Sequence, residues 1–347
     1  MGMPTSLPDP PDPVVSIVVV NWNGAEVLPR CLEALSAQTY REFDVTVVDN
    51  GSKDGSADDL ERRWPGVRVL RLAENKGFAV ANNLGAEQTA GRWLVLINND
   101  AFPEVNWLET LISATKEYPE YSFFGSRLVQ YHDPDMMDGA GDVYHISGLA
   151  WRRHYNHPVS EVPHNVEEIF GPCAAAAMYL REAFLEVGGF ADYYFSYHED
   201  VDLSFRLRLA GYRCLYVPDA VVKHVGSATT GVQSDFAVYY GHRNLVWSFF
   251  QNMPTRLLWK YLPAHILANL IYLVYYSGRG QVKAIWRAKW DAFRDLPGAL
   301  RRRRSIQESC AVGPAEIDRV IEHGWLGPYV LGFRSRQKAR QARRVGS

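Results

Sequence analysis

Two short stretches concentrate side chains that can do chemistry. Residues 94–104 read LVLINNDAFPE, an apolar run that delivers Asn98, Asn99 and Asp100 at its tip, with a helix expected from Pro103. A capping turn needs only one such side chain, which raises the question whether a ligand needs the others. Residues 197–212 read YHEDVDLSFRLRLAGY, where Val201, Phe205 and Leu209 recur every four residues and Gly211 closes the pattern. That periodicity predicts a helix with Glu199, Asp200 and Asp202 in its first turn. Acidic residues there complement the helix dipole. His198-Glu199-Asp200 is nevertheless denser than a cap requires, and it follows an aromatic run, ADYYFSY, suited to lining a cleft. A third candidate, His224, ends VVKHV just before a GSATT loop. A lone histidine in such a place is more often structural than a ligand.

The elements that must position these groups alternate. VVSIVVV (14–20), FDVTVVD (43–49), VRVLRL (67–72) and WLVLIN (93–98) read as buried strands. Between them lie the helical patterns AEVLPRCLEALSAQ, DDLERRW and FAVANNLGAEQ. Apolar strands separated by helices imply a parallel sheet covered on both faces, with ligands bound at the strands' carboxyl ends. Those ends carry Asn21-Trp22-Asn23-Gly24, Asp49-Asn50-Gly51-Ser52, Glu74-Asn75-Lys76-Gly77 and Asn98-Asn99-Asp100. Each alone reads as a βα turn, but four on one edge suggest a polar ligand lying across the sheet. No G-x-G-x-x-G follows the first strand, which argues against a dinucleotide-dependent dehydrogenase. Residues 129–170 read as a long functional loop or short hairpins, CAAAAMYL (173–180) as a strand and REAFLEVGGF as a short helix.

Composition is that of a globular protein, with 47% hydrophobic and 22% charged residues among 347. Cys31, Cys173, Cys214 and Cys310 are far apart, which disfavours a disulfide framework or zinc ribbon and fits a reducing cytosol. Residues 1–13 read as a disordered leader without signal-peptide character. Charge is unevenly spread. Residues 236–347 carry 19 Lys and Arg against 6 Asp and Glu, whereas residues 1–235 carry 18 against 33. The basic part includes RRRR at 301–304 and RSRQKARQARR at 334–344. Such a tail suits an anionic membrane surface, and nucleic acid is not expected because the acidic body has no groove signature.

The set VSIVVVNWNG, VVDNGSKDGS, NKGFAVANN, LVLINND and GGFADYYFSYHEDVDLSFRLRLAGY resembles the family-2 glycosyltransferases of the GT-A fold, most of all the rhamnosyltransferase-like branch that builds cell-wall and surface polysaccharides. The resemblance covers about residues 14–230. It implies an α/β nucleotide-sugar-binding fold over 14–235, with a donor half to about 128, an acceptor half to 235 and a helical extension over 236–347. It also implies an inverting transferase using Mn²⁺ or Mg²⁺. Asp49 matches the carboxylate that accepts from the imide of uracil or thymine. Asn21 and Asn23 lie where the nucleotide is held, and Lys76 would approach the diphosphate. Asn98-Asn99-Asp100 stands at the D-x-D motif, so Asp100 should hold the metal, while Asn98 would contact nucleotide or ribose. Asp200 matches the general base, with Glu199 beside it, and His224 matches a histidine that joins the metal. Arg206 is expected to brace Glu199 or the adjoining loop.

The best donor by this resemblance is dTDP-rhamnose, with UDP-hexoses and UDP-N-acetylhexosamines open, and the acceptor a polysaccharide or lipid-linked oligosaccharide. A processive synthase would show Q-x-x-R-W, which is absent. A non-catalytic nucleotide-binding protein of the same fold would have lost a key carboxylate, yet Asp100 and Asp200 are in place. In the extension, YYGHRNLVWSFFQN reads as a helix. Residues 257–276 are mostly apolar but interrupted by Lys260, Pro263, His265 and Asn269, which makes a poor spanning helix. They read first as lying on a membrane surface, next as core or a homodimer interface, and last as spanning. The expected location is cytoplasmic, peripheral at the inner face of the membrane.

Overall fold

The computed structural model describes residues 14–226 and 234–324. The leader 1–13, the GSATT loop beyond Gly226 and the basic stretch 334–344 lie outside the described residues. Four apolar runs form the first half of the sheet: β1 (Val15–Asn21), β2 (Phe43–Asp49), β3 (Val67–Arg71) and β4 (Trp93–Asn98). They are linked by α1 (Leu28–Ser36), α2 (Leu60–Arg63) and α3 (Phe78–Glu87) and followed by α4 (Trp107–Glu117). β1 and β2 are buried on both faces because alternate side chains serve opposite layers. Ile17, Val19, Val45 and Val47 share a cluster with Leu32 of α1 and Leu111 of α4. Val18 and Val48 face the other way, towards Ala81 and Ala86 of α3. α3 sits so close that a Cβ on Gly85 would lie 2.5 Å from Val18 Cγ1.

The second half begins with β5 (Ala101–Pro103), β6 (Phe123–Gln130), β7 (Met137–Gly139), the hairpin β8 (Asp142–Tyr144) and β9 (Ala150–Arg152), and β10 (Glu167–Ile169). Then come β11 (Ala176–Leu180), α5 (Arg181–Glu186), α6 (Glu199–Leu209) and β12 (Cys214–His224). The sheet order is β10-β12-β6-β11-β4-β1-β2-β3, with β5 added to β12 and β7 to β6. β1, β2, β3 and β4 pair parallel, as do β6 and β12, whereas β11 runs antiparallel to β4 and β6. The α/β class is therefore as expected, with a mixed sheet. Two local readings change. Pro103 starts no helix: it ends β5, where its missing N–H is tolerated on a three-residue edge piece paired with Val222. DDLERRW yields a single helical turn, because Asp59 takes a left-handed φ of 52° just before it.

The described part of the extension carries five helices: α7 (Asp235–Asn252), α8 (Thr255–Ser277), α9 (Val282–Arg294), α10 (Leu296–Glu308) and α11 (Pro314–Val320). Ser234 caps α7 by accepting from Ala237 N at 3.2 Å. Phe205 and Leu209 of α6 share one apolar cluster with Phe249 and Leu257, so the extension packs on the helix that carries the acidic motif.

Candidate active site

The loops after β1, β2 and β3 are sewn together by their own asparagines. Asn21 is fully buried, donates to Ser56 Oγ at 2.8 Å and Ser52 Oγ at 3.2 Å, and accepts from Asn99 Nδ2 at 2.8 Å. Gly24 lies against that last bond, where a Cβ would come within 2.2 Å of Asn99 Nδ2. Asn23, with a left-handed φ of 50°, accepts from Lys53 N at 2.8 Å. Asn50 donates to Asn75 Oδ1 at 3.0 Å and accepts from Lys76 N at 2.8 Å. Asn21 thus shapes the loops through an amide committed at both ends, and Asn23 through its side-chain oxygen. Asp49, buried at the tip of β2, accepts from Ser52 N at 3.3 Å. The Lys76 ammonium pairs with Glu74.

At the tip of β4, Asn98 and Asp100 line a cleft of about 1700 Å³ together with Trp22, His224, Glu199 and Asp200. Strand register brings two of these together from far apart in sequence. β5 pairs His224 with Ala101, which sets His224 Nε2 3.3 Å from Asp100 Oδ1. His224 Nδ1 in turn sits 2.7 Å from Asp138 Oδ2, and Arg152 pairs with the same oxygen. Burial acts against the charged forms of both residues. The hydrogen bonds nevertheless win, raising the imidazole's pKa and lowering the Asp138 carboxyl's. With Nδ1–H held by Asp138, Nε2 beside Asp100 is the nitrogen that can turn a lone pair to a cation once its own proton is displaced, as in a metal-binding histidine oriented by a carboxylate. Asp100 and His224 are two donors only, and among the described residues no group of three or more His, Cys, Asp or Glu could hold a metal. The pair therefore fits a divalent cation that completes its shell with phosphate oxygens and water.

The other wall is the start of α6. Asp200 Oδ1 accepts from Val201 N at 2.8 Å. Glu199 is buried with Oε2 unpartnered. Burial pushes the carboxyls of Glu199, Asp200 and Asp142 above the usual carboxylate range. The charge of Asp200 adds to the rise at Glu199 and Asp142, while Arg152 opposes the rise at Asp200 and Asp142. Asp202 differs from its neighbours. It is fully buried and accepts from Tyr194 Oη, Gln251, Asn252 and Arg206, so it is a structural carboxylate. Arg206 correspondingly braces Asp202 at 2.8 Å and the carbonyls of Val187 and Gly189, not Glu199.

The turn entering α6 is strained, with Phe195, Tyr197 and His198 all at φ between 65° and 68°. Two neighbours on α7 hold it: Asn244, fully buried, donates to the carbonyls of Tyr194, Ser196 and Tyr197 at 3.2, 2.9 and 2.7 Å, and Arg243 donates to those of Tyr193 and Tyr194 at 3.3 and 3.2 Å. Sequence reasoning singled out neither Asn244 nor Asp138, Asp142 and Arg152. Their signals, RN inside a helix pattern and acids in a Gly-rich irregular segment, acquire meaning only through contacts made in space.

Comparisons with known proteins give the family and the fold. Residues 16–188 match the family model described as Glycosyl transferase family 2. A curated relative, the N-acetylglucosaminyl-diphospho-decaprenol L-rhamnosyltransferase of Mycobacterium tuberculosis, is 32% identical over 249 residues, covering 63% of this chain and 78% of the relative. Among solved structures, a mannosyltransferase from Pyrobaculum calidifontis in complex with GDP-Man and Mn²⁺ superposes with a TM-score of 0.50 at 18% identity, covering 89% of both chains. TarS of S. aureus superposes at 0.52 with 15% identity, covering 88% of this chain and 54% of TarS. At these identities the structures speak for the fold.

Proposed function

The chain belongs to glycosyl transferase family 2, and from that premise we propose that it is a cation-dependent, inverting glycosyltransferase that moves rhamnose from dTDP-rhamnose to a lipid-linked acceptor. The observation that carries the reading is that the Asp100–His224 pair and the Glu199–Asp200 carboxylates line one cleft at the carboxyl edge of the sheet. Asp100 and His224 would hold Mn²⁺ or Mg²⁺ against the donor diphosphate, and the cation supplies Lewis-acid stabilisation of the leaving group. Asp49 accepts from the thymine or uracil imide, while Asn98 faces the nucleotide. Asp200 takes the proton of the acceptor hydroxyl as its oxygen bonds to the anomeric carbon. The bond from that carbon to phosphate breaks on the opposite side, and its electron pair leaves with the nucleoside diphosphate. One displacement of this kind inverts the centre.

Support for the lipid-linked acceptor is the name of the mycobacterial relative together with the basic extension. Both favour a place at the cytoplasmic face of the membrane. Calorimetric titration tests the donor half. With Mn²⁺, dTDP and UDP should bind more tightly than CDP, and Asp100→Ala should abolish the cation-dependent part. Asp49→Ala should weaken dTDP binding about tenfold or more, as the loss of one charge-assisted hydrogen bond implies. Nucleotide binding indifferent to chelation would remove the cation from the mechanism. A donor screen scored by diphosphate release decides between dTDP-rhamnose and UDP-hexose or UDP-N-acetylhexosamine.

A further inference from the structure

Surface helices ordinarily turn charge to water and hide their apolar stripe. α8 and α9 do otherwise. Their inner faces are occupied: Leu257, Tyr261 and Ala268 of α8 and Ile285, Ala288 and Ala292 of α9 are buried. Their outer faces are apolar as well. On α9, Trp286, Trp290 and Phe293 fall on one stripe at i, i+4 and i+7 and are exposed, Trp290 by 66% and Phe293 by 70%. On α8, Trp259, Leu270 and Val274 stand outward, Val274 by 74%. An exposed aromatic and aliphatic surface of this kind marks an interaction site.

Its charge says which partner. Arg256, Arg279, Lys283, Arg287, Arg294 and Arg301 are exposed around the apolar stripes. Among the described residues no Asp or Glu between 255 and 304 is fully exposed, since Asp291 is held by Tyr239 and Asp295 by Arg302. A second copy of the chain would bring an equally basic face. An anionic lipid interface is complementary, with tryptophans at headgroup depth and basic side chains among the phosphates. α8 is long and apolar enough to cross a bilayer by length and composition. Its inner side is tied into the protein, however, by His265 Nδ1 at 2.8 Å from Ser147 O and by Tyr261 Oη donating to Asp318 Oδ1 at 2.6 Å.

We propose that the outer face of α8 and α9 docks this protein on an anionic bilayer, with the acceptor end of the cleft at the margin of the docked face. Tyr272 of α8 lines the cleft with Leu149 and Trp151, while the adjacent Ile271 is exposed on the apolar side. The inference about the margin rests on the lipid-linked acceptor proposed above; docking itself does not. The test is co-sedimentation of the full chain with vesicles of phosphatidylcholine alone or with phosphatidylglycerol. Alongside it, dTDP titration is run in the presence of Mn²⁺. Binding is expected to the anionic vesicles and to weaken with salt. The triple variant Trp286→Ser, Trp290→Ser, Phe293→Ser should reduce it at least about tenfold and leave dTDP affinity unchanged. Failure to bind vesicles, or retention of full binding by the triple variant, overturns the proposal. So does a dimer in solution that the triple variant converts to monomer. Loss of dTDP binding in the unmodified chain would instead strike at the glycosyltransferase reading.

Discussion

A carboxylate serves as a base only when ionised, and at Asp200 the surroundings resist ionisation. Burial raises its pKa, and the backbone N–H groups of Val201 and Ala174 with Arg152 only partly offset this. The acid limb of the turnover profile should therefore lie above the ordinary aspartate value of about 4. Asp200→Asn should cut transfer by at least about a hundredfold while sparing nucleotide binding, as loss of a general base does. Near-normal turnover by a folded variant would dismiss the assignment. The same shift bears on stability. A carboxyl whose pKa is raised by folding contributes stability that is present below its unfolded pKa and lost as pH rises through its folded pKa. Asp200→Asn should accordingly melt higher than the unmodified protein at neutral pH, with the gap narrowing towards about pH 4. A gap that widens on acidification would contradict the direction. These residues were half legible. Asp100 and Asp200 stood out by sequence density, whereas Asp138 and Arg152 matter only because β7 and β9 carry them to His224, far away in sequence.

Among the elements, the strands of the donor half were readable because VSIVVVN and FDVTVVD are nearly unbroken β-branched runs buried on both faces. β6 was not, since FFGSRLVQ carries Gly125, Ser126 and Arg127 in its middle. Two of these residues find partners no local window shows: Ser126 accepts from Trp107 Nε1 at 2.9 Å, and Arg127 Nη1 reaches His164. Likewise β5 exists only because β12 pairs with it. The turn before α6 is the element on which Asp200 depends, and α7 holds it. Asn244→Ala takes the side-chain donor from the carbonyls of Ser196 and Tyr197 in a strained turn, while Tyr194 O keeps Ser196 N and Arg243. We expect turnover to fall about tenfold to a hundredfold, the scale of a small misplacement of a reacting group. Nucleotide affinity should be unchanged, and Asn244→Ala should also shift the acid limb of the pH profile. Equal losses in turnover and nucleotide affinity would mean that Asn244 supports the fold at large and not the base.

For the molecule as a whole, the seam that joins the extension to itself contains a buried amine. Lys289 of α9 donates to His242 O of α7 and to Asn269 Oδ1 of α8, and burial pushes its pKa down to about 7. A lysine depressed from its ordinary value of about 10.4 leaves the unfolded chain binding more protons between those limits. Its contribution to stability therefore grows as pH rises from about 7 to 10.4 and is lost on descent through the folded pKa. Replacing it in Lys289→Met should flatten the rise of melting temperature over that interval. Parallel melting curves for both proteins would refute it. The extension that this seam holds together also sets an order in time. The residues assigned to the donor and its cation precede Gly226, but Asn244, Gln251 and Asn252, which hold the turn and Asp202, are made later. A ribosome building this chain completes the residues proposed for the nucleotide first. The proposed base is set in its strained turn only after α7 has left the exit tunnel and docked.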